Sequence, residues 1–96
     1  MRRVSLFVDS VLNSGQTGKT SIYCLYKSGY RRLQEGEILY GAQMETYRVL
    51  AFFPVRGSIS AGEPKAFITI DKPFPQDQVG SILFTNEADA KRHAAE

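Results

Sequence analysis

Val4, Leu6 and Val8 alternate with Arg3, Ser5 and Asp9, and this period of two, interrupted on its polar side by Phe7, predicts a half-buried strand over residues 3–9. The alternation returns over residues 20–27, where Ile22, Cys24 and Tyr26 share one face and Tyr23 and Leu25 take the other. Apolar residues on both faces mark a central strand, or one whose second face is used. Ser28-Gly29 is a short turn signal, so residues 30–33 are expected to pair back as a third strand in a tight hairpin. Residues 37–43 fit either the start of a strand or a single helical turn. The longest strand candidate is 45–55, with Tyr47, Val49, Ala51, Phe53 and Val55 on one side and Leu50 and Phe52 on the other. Pro54 belongs at its end or on an edge, because proline cannot donate to the ladder.

Residues 56–64, RGSISAGEP, are polar, with two glycines and a proline, and predict a loop long enough to carry contacts. Residues 65–71 alternate Ala66, Ile68 and Ile70 against Phe67 and Thr69, a further strand. Pro73 and Pro75 frame a sheet-free connection, and 79–84 reads as a last short strand. A helix then starts near Thr85, an N-cap residue. Glu87 and Asp89 suit the positive end of its dipole, and Lys91, Arg92 and His93 the negative end. Its alanines offer little bulk, so its attachment to the sheet is expected to be weak. The connections are too short for the crossovers of a parallel sheet. The pattern therefore predicts an α+β fold: one β-rich domain over 1–96, a mainly antiparallel sheet of five or six strands, and one C-terminal helix.

If Ile22, Cys24 and Tyr26 face the core beside Val4, Leu6 and Val8, then Phe7, Tyr23 and Leu25 lie on the opposite face. One terminal helix cannot cover both faces of such a sheet. Either the sheet curls into a barrel, or its second face meets a partner or a second copy of the chain.

Composition narrows the class without naming a function. Ninety-six residues with 43% apolar content fit a single core. Twelve Lys and Arg against ten Asp and Glu leave a charge of +2, too balanced for the basic footprint of a dedicated DNA-binding domain. Cys24 is the only cysteine, so no intramolecular disulfide can form, and a cytoplasmic location is expected. Asp9 cuts the first apolar run short of a signal peptide, and nothing approaches a membrane span.

Candidate chemistry begins with a lure. Residues 13–20, NSGQTGKT, end in the Gly-Lys-Thr of a nucleotide phosphate loop, but Asn13 stands where that loop needs its first glycine. A phosphate loop must also open a helix, and the β-branched and aromatic residues after Thr20 read as a strand. A plain glycine-rich turn is the expectation. His93 is the only histidine and reads as a solvated residue at a helix end. With one Cys and one His no zinc site of the usual donor set can be assembled, and no Ser–His pairing has a well-placed base. The carboxylates at predicted strand ends have no evident partner. The expectation is a protein that is not an enzyme and takes no cofactor or metal.

One constellation remains. Tyr23, Lys27, Tyr30, Arg31 and Arg32 interleave aromatic rings with cations around the predicted turn after residue 27. Tyr and Arg are the residues that most often anchor protein interfaces, so these five are the candidate partner-binding residues. The expected function is a non-enzymatic protein-binding module. A motif-free domain of this size is typical of the small regulators and inhibitors that phages and mobile elements encode, including those directed at host defence complexes. The alternative is a module for single-stranded nucleic acid, in which the tyrosines stack on bases and the cations meet phosphates. A homodimer fits the same surface; a membrane does not.

Overall fold

Period-2 patterning takes its expected form along most of the chain. The structure, a computed structural model, describes residues 3–13 and 19–95. Strands β1 (Ser5–Asn13), β2 (Thr20–Ser28), β3 (Ile38–Tyr40), β4 (Thr46–Pro54), β5 (Lys65–Ile70) and β6 (Ile82–Phe84) precede helix α1 (Glu87–Ala94). The strands pair antiparallel and close into a barrel in the order β1-β2-β5-β4-β3-β6. This is the expected α+β domain with its C-terminal helix, and the barrel resolves the question of the second face.

The inward positions of every strand fill the barrel. Leu6, Val8, Ile22, Cys24, Leu39, Val49, Ile68, Ile70 and Leu83 are fully buried. Each large aliphatic side chain so removed from water contributes roughly 1.5–3 kcal/mol, offsetting the entropy of ordering the chain. The two long connections, 29–37 and 71–81, run across opposite ends of the barrel. Leu33 is buried from the first, and Phe74 from the second, its ring 5.2 Å from that of Tyr47. Closure rests on the shortest strands: β6 makes three pairs with β1, and its link to β3 is Tyr40 opposite Phe84. Closing the circle shortens the unpaired edges that an open sheet would present to other chains, since β6 and β3 pair with only three residues each of β1 and β4.

Some details depart from the pattern read in the sequence, among them β1, which runs on to Asn13 beyond the expected end at residue 9. Residues 30–33 are not a strand, because β2 already pairs with β1 on one side and β5 on the other. Gly29, with φ +62°, turns the chain off the sheet and over the barrel end. The uncertain segment 37–43 becomes β3 and the turn into β4. In β4 the alternation does not hold throughout. Tyr47 and Val49 point inward, but a register shift against β5 between Val49 and Ala51 inserts one residue, so that Phe52 is buried and Phe53 is outside. Finally, Asn86 rather than Thr85 caps α1, its Oδ1 accepting the Asp89 N–H at 3.1 Å. Thr85 instead ties the helix approach to β1, its hydroxyl accepting the Val4 N–H at 3.3 Å.

Helix α1 is lightly attached, as its alanines suggested. Ala90 is its buried residue, and the His93 ring lies 5.3 Å from that of Phe84 on β6. Residues 14–18, the centre of the phosphate-loop-like stretch, lie outside the described residues. The next element along the chain is strand β2, with Asn13 paired to Thr20, and not the helix that a phosphate loop requires. Among the described residues no helix is long and apolar enough to cross a membrane.

Candidate binding surface

Because inward positions are spent on the core, the outward positions of β1, β2, β5 and β4 are presented on the barrel surface. The pairing registers place them in rows across the strands. One row runs Ser10, Tyr23, Phe67, Phe53, and its neighbours run Phe7, Leu25, Lys65 and Leu12, Ser21, Thr69, Ala51. Tyr23 and Phe67 touch, with ring centroids 4.9 Å apart and a tilt of 49°. Phe67 is 47% exposed, Phe53 59% and Leu12 72%. Scattered exposed apolar residues are ordinary, but here the rings of Tyr23, Phe67 and Phe53 stand side by side in one row. Lys65 borders the patch, and a hydroxyl contact between Ser21 and Thr69, at 3.2 Å, runs beside the rings.

Of the five residues the sequence put forward, Tyr23 stands in this aromatic row. Lys27 is exposed where the β1–β2 register shifts, at the end of the same face. The other three lie in the connection over the barrel end, and two of them are engaged there. Tyr30 packs against the core with its ring 4.9 Å from that of Tyr26, whose hydroxyl donates to the Arg31 carbonyl at 2.6 Å. Arg31 forms a two-pronged ion pair with Glu37, one prong at 3.0 Å, and the Gln34 N–H donates to the same carboxylate at 3.0 Å. Both side chains of the pair are nearly buried, at 14% and 11% exposure. Arg32 is exposed, its guanidinium carbon 5.5 Å from the centre of the Phe52 ring.

Electrostatics separates the two regions further. Burial alone would raise the Glu37 carboxyl, but the hydrogen bonds from Arg31 and Gln34 and the Arg31 charge outweigh it and hold the carboxyl below its ordinary value. The hydrogen bond to Glu37 raises Arg31. Burial pushes the Tyr26 phenol up, with Tyr30 and Cys24 adding to the effect, so it stays neutral and able to donate. Burial alone pushes the Cys24 thiol up to about 12, which leaves a protonated, unreactive core residue at neutral pH.

Phe67 and Phe53 were not among the residues singled out from the sequence. Phe67 was legible, since it alternates against Ala66, Ile68 and Ile70; the bulge hid Phe53. The loop at 55–64 folds on itself, with Ser58 buried, its hydroxyl donating to the Val55 carbonyl at 2.7 Å and accepting the Lys65 N–H at 3.2 Å. Among the described residues no three His, Cys, Asp or Glu side chains gather closely enough to hold a metal ion. Comparison with protein-family models, curated proteins and solved structures returned no match.

Proposed function

We propose that this protein is a non-catalytic binding module that docks on another protein through the outer face of β1, β2, β5 and β4. The observation that carries the reading is the row Tyr23, Phe67, Phe53, whose rings stay on the surface of a barrel that already has a filled interior. Rings of this kind fill pockets on a partner at low entropic cost, and leucines beside them exclude water from the contact. Leu12, Leu25 and Phe7 supply that apolar surround. Tyr23 and Lys27 serve in the contact, whereas Tyr30 and Arg31 hold the barrel end on which Arg32 is presented. A small regulator or inhibitor, of the kind carried by phages and mobile elements, is the role that such a module fills.

The runner-up is single-stranded nucleic acid, favoured by one observation: the same rings span three adjacent strands with Lys65 at their border, as bases stacked along a sheet would require. The aliphatic share of the patch favours protein. Affinity capture from nuclease-treated host lysate, run in parallel with wild type and Phe67→Ala, separates the two. A protein retained by wild type and lost with the variant is the expected result. Binding of short oligothymidylate in physiological salt, abolished by Phe67→Ala, with no protein retained, would instead establish the nucleic-acid reading. A concentration-dependent dimer lost in the same variant would put a second copy on this face.

A further inference from the structure

A second feature lies outside the aromatic face. Between α1 and the barrel is an open cleft of about 250 Å³, floored by Val4 and Phe84. Arg3 enters from the start of β1, Ser5 and Ser28 from the paired ends of β1 and β2, and Arg92 and His93 from α1. The two serine hydroxyls are hydrogen-bonded to each other at 3.0 Å, and the His93 ring lies 5.3 Å from that of Phe84, tilted by 51°. Asp89 is the acid of the cleft. Arg3 and Arg92 both reach the same oxygen of it, Oδ1, the former at 3.5 Å. Among the described residues of the lining, two arginines stand against one aspartate.

We infer that this cleft is a binding site for a phosphate monoester carried on a flat apolar group. The donors come from three places in the fold: Arg3 and Ser5 at the start of β1, Ser28 at the end of β2, and Arg92 and His93 on α1. That arrangement suits the oxygens of a tetrahedral phosphate, which point in several directions, better than a carboxylate, whose acceptor sites lie in one plane. Each guanidinium has five N–H donors, and the contact with Asp89 uses few of them. Asp89 thus steers both arginines toward the mouth without exhausting them. Their side chains are 64% and 70% exposed while Asp89 is 14% exposed, so the guanidinium end of each ion pair stands in water, where an arriving dianion can meet it. Phe84 and the His93 ring give the apolar part of the ligand a surface to lie on.

The test is a titration followed by amide and ring resonances, with phenyl phosphate as the probe and inorganic phosphate and phenyl sulfonate beside it. Saturable shifts at Ser5, Ser28, Phe84 and His93 are expected, stronger for phenyl phosphate than for either comparison anion. Arg92→Gln should weaken phenyl phosphate by about tenfold, the loss of one charge-assisted hydrogen bond. Phe84→Leu should weaken phenyl phosphate and leave inorganic phosphate unchanged. An octathymidylate with and without a 5′-phosphate identifies the source. Tighter binding of the phosphorylated strand than of phenyl phosphate means a nucleic-acid end, and equal binding means a small phosphorylated molecule. The inference fails if about 10 mM phenyl phosphate gives no saturable shift at these residues. It fails equally if Arg92→Gln, its fold verified by an unchanged spectrum elsewhere, binds as well as wild type.

Discussion

The outer face of β2 and β5 and the connection over the barrel end carry the same kinds of residue and use them differently. On the face, Tyr23 and Phe67 meet with their rings tilted and still present them to water. At the barrel end, Tyr26 of β2 and Tyr30, Arg31 and Glu37 of the connection satisfy one another, ring against ring, hydroxyl to carbonyl, guanidinium to carboxylate. A Tyr-Arg cluster is therefore not a surface by virtue of its composition. What matters is whether the backbone beside it lies in a ladder. In β2 the neighbouring strands satisfy the main chain and leave outward side chains unemployed. In 29–35 the chain has left the sheet and side chains help to hold it in place, until Gly36 and Glu37 exchange main-chain hydrogen bonds with Val49 of β4.

The largest effect should come from breaking the connection. Glu37→Ala strands the nearly buried Arg31 charge and removes the acceptor of the Gln34 N–H, and is expected to lower unfolding free energy by about 2–3 kcal/mol in denaturant titration. Arg31→Ala should cost a similar amount, and the double variant clearly less than the sum. Cys24 offers an independent readout, because its buried thiol should react with a disulfide reagent only as fast as the molecule opens. Additive losses would show that the two side chains do not act as a pair.

The same pair sets a pH signature. The Glu37 carboxyl is held below its ordinary value of 4.5 in the folded protein, so its contribution is fully present above that value and is lost as pH falls through the folded one. Wild type should lose stability progressively below about 4.5, and Glu37→Gln should flatten that part of the profile. A slope unchanged in Glu37→Gln would assign acid sensitivity to another carboxylate.

On the outer face the expectation reverses. Tyr23→Ala and Phe67→Ala remove a cross-strand ring contact and should cost stability by no more than about 1 kcal/mol. Each should weaken partner binding by about 2 kcal/mol, as truncation of an anchoring ring does. Phe53→Ala, at the end of the row, should weaken it less. If Phe67→Ala unfolds the protein as readily as Glu37→Ala, the row is structural and the comparison collapses.

How much of this was legible depends on where local pattern decides. Strands β1, β2 and β5 were readable because Val4 to Val8, Ile22 to Tyr26 and Ala66 to Ile70 keep an unbroken period of two. The outward placement of Phe7, Tyr23 and Leu25 came from the same count. The bulge in β4 was not readable, because nothing in Leu50-Ala51 distinguishes an inserted residue from a ladder residue, and it reversed Phe52 and Phe53. Nor was the fate of 30–33, since whether β2 has an edge to spare depends on β5, some forty positions on. Barrel closure through three-residue strands, and the cleft that α1 forms with β1 and β2, depend on contacts between the two ends of the chain.

The smallest expected effect tests the comparison most finely, because it concerns the neighbour of Arg31. Arg32 sits one residue further along the same connection, yet it is exposed, with its guanidinium carbon 5.5 Å from the centre of the Phe52 ring. A cation over a ring at an exposed site contributes about 0.5–1 kcal/mol. Arg32→Ala should therefore cost no more than that in denaturant titration, several times less than Arg31→Ala, and Arg32→Lys should recover part of it. The substitution should act on binding instead, lowering affinity and weakening its dependence on salt, because a charge lost from the rim of an interface alters steering more than contact. If Arg32→Ala proved as destabilising as Arg31→Ala while leaving partner affinity untouched, both arginines would be braces of the barrel end. The interface would then be confined to the outer face of the strands.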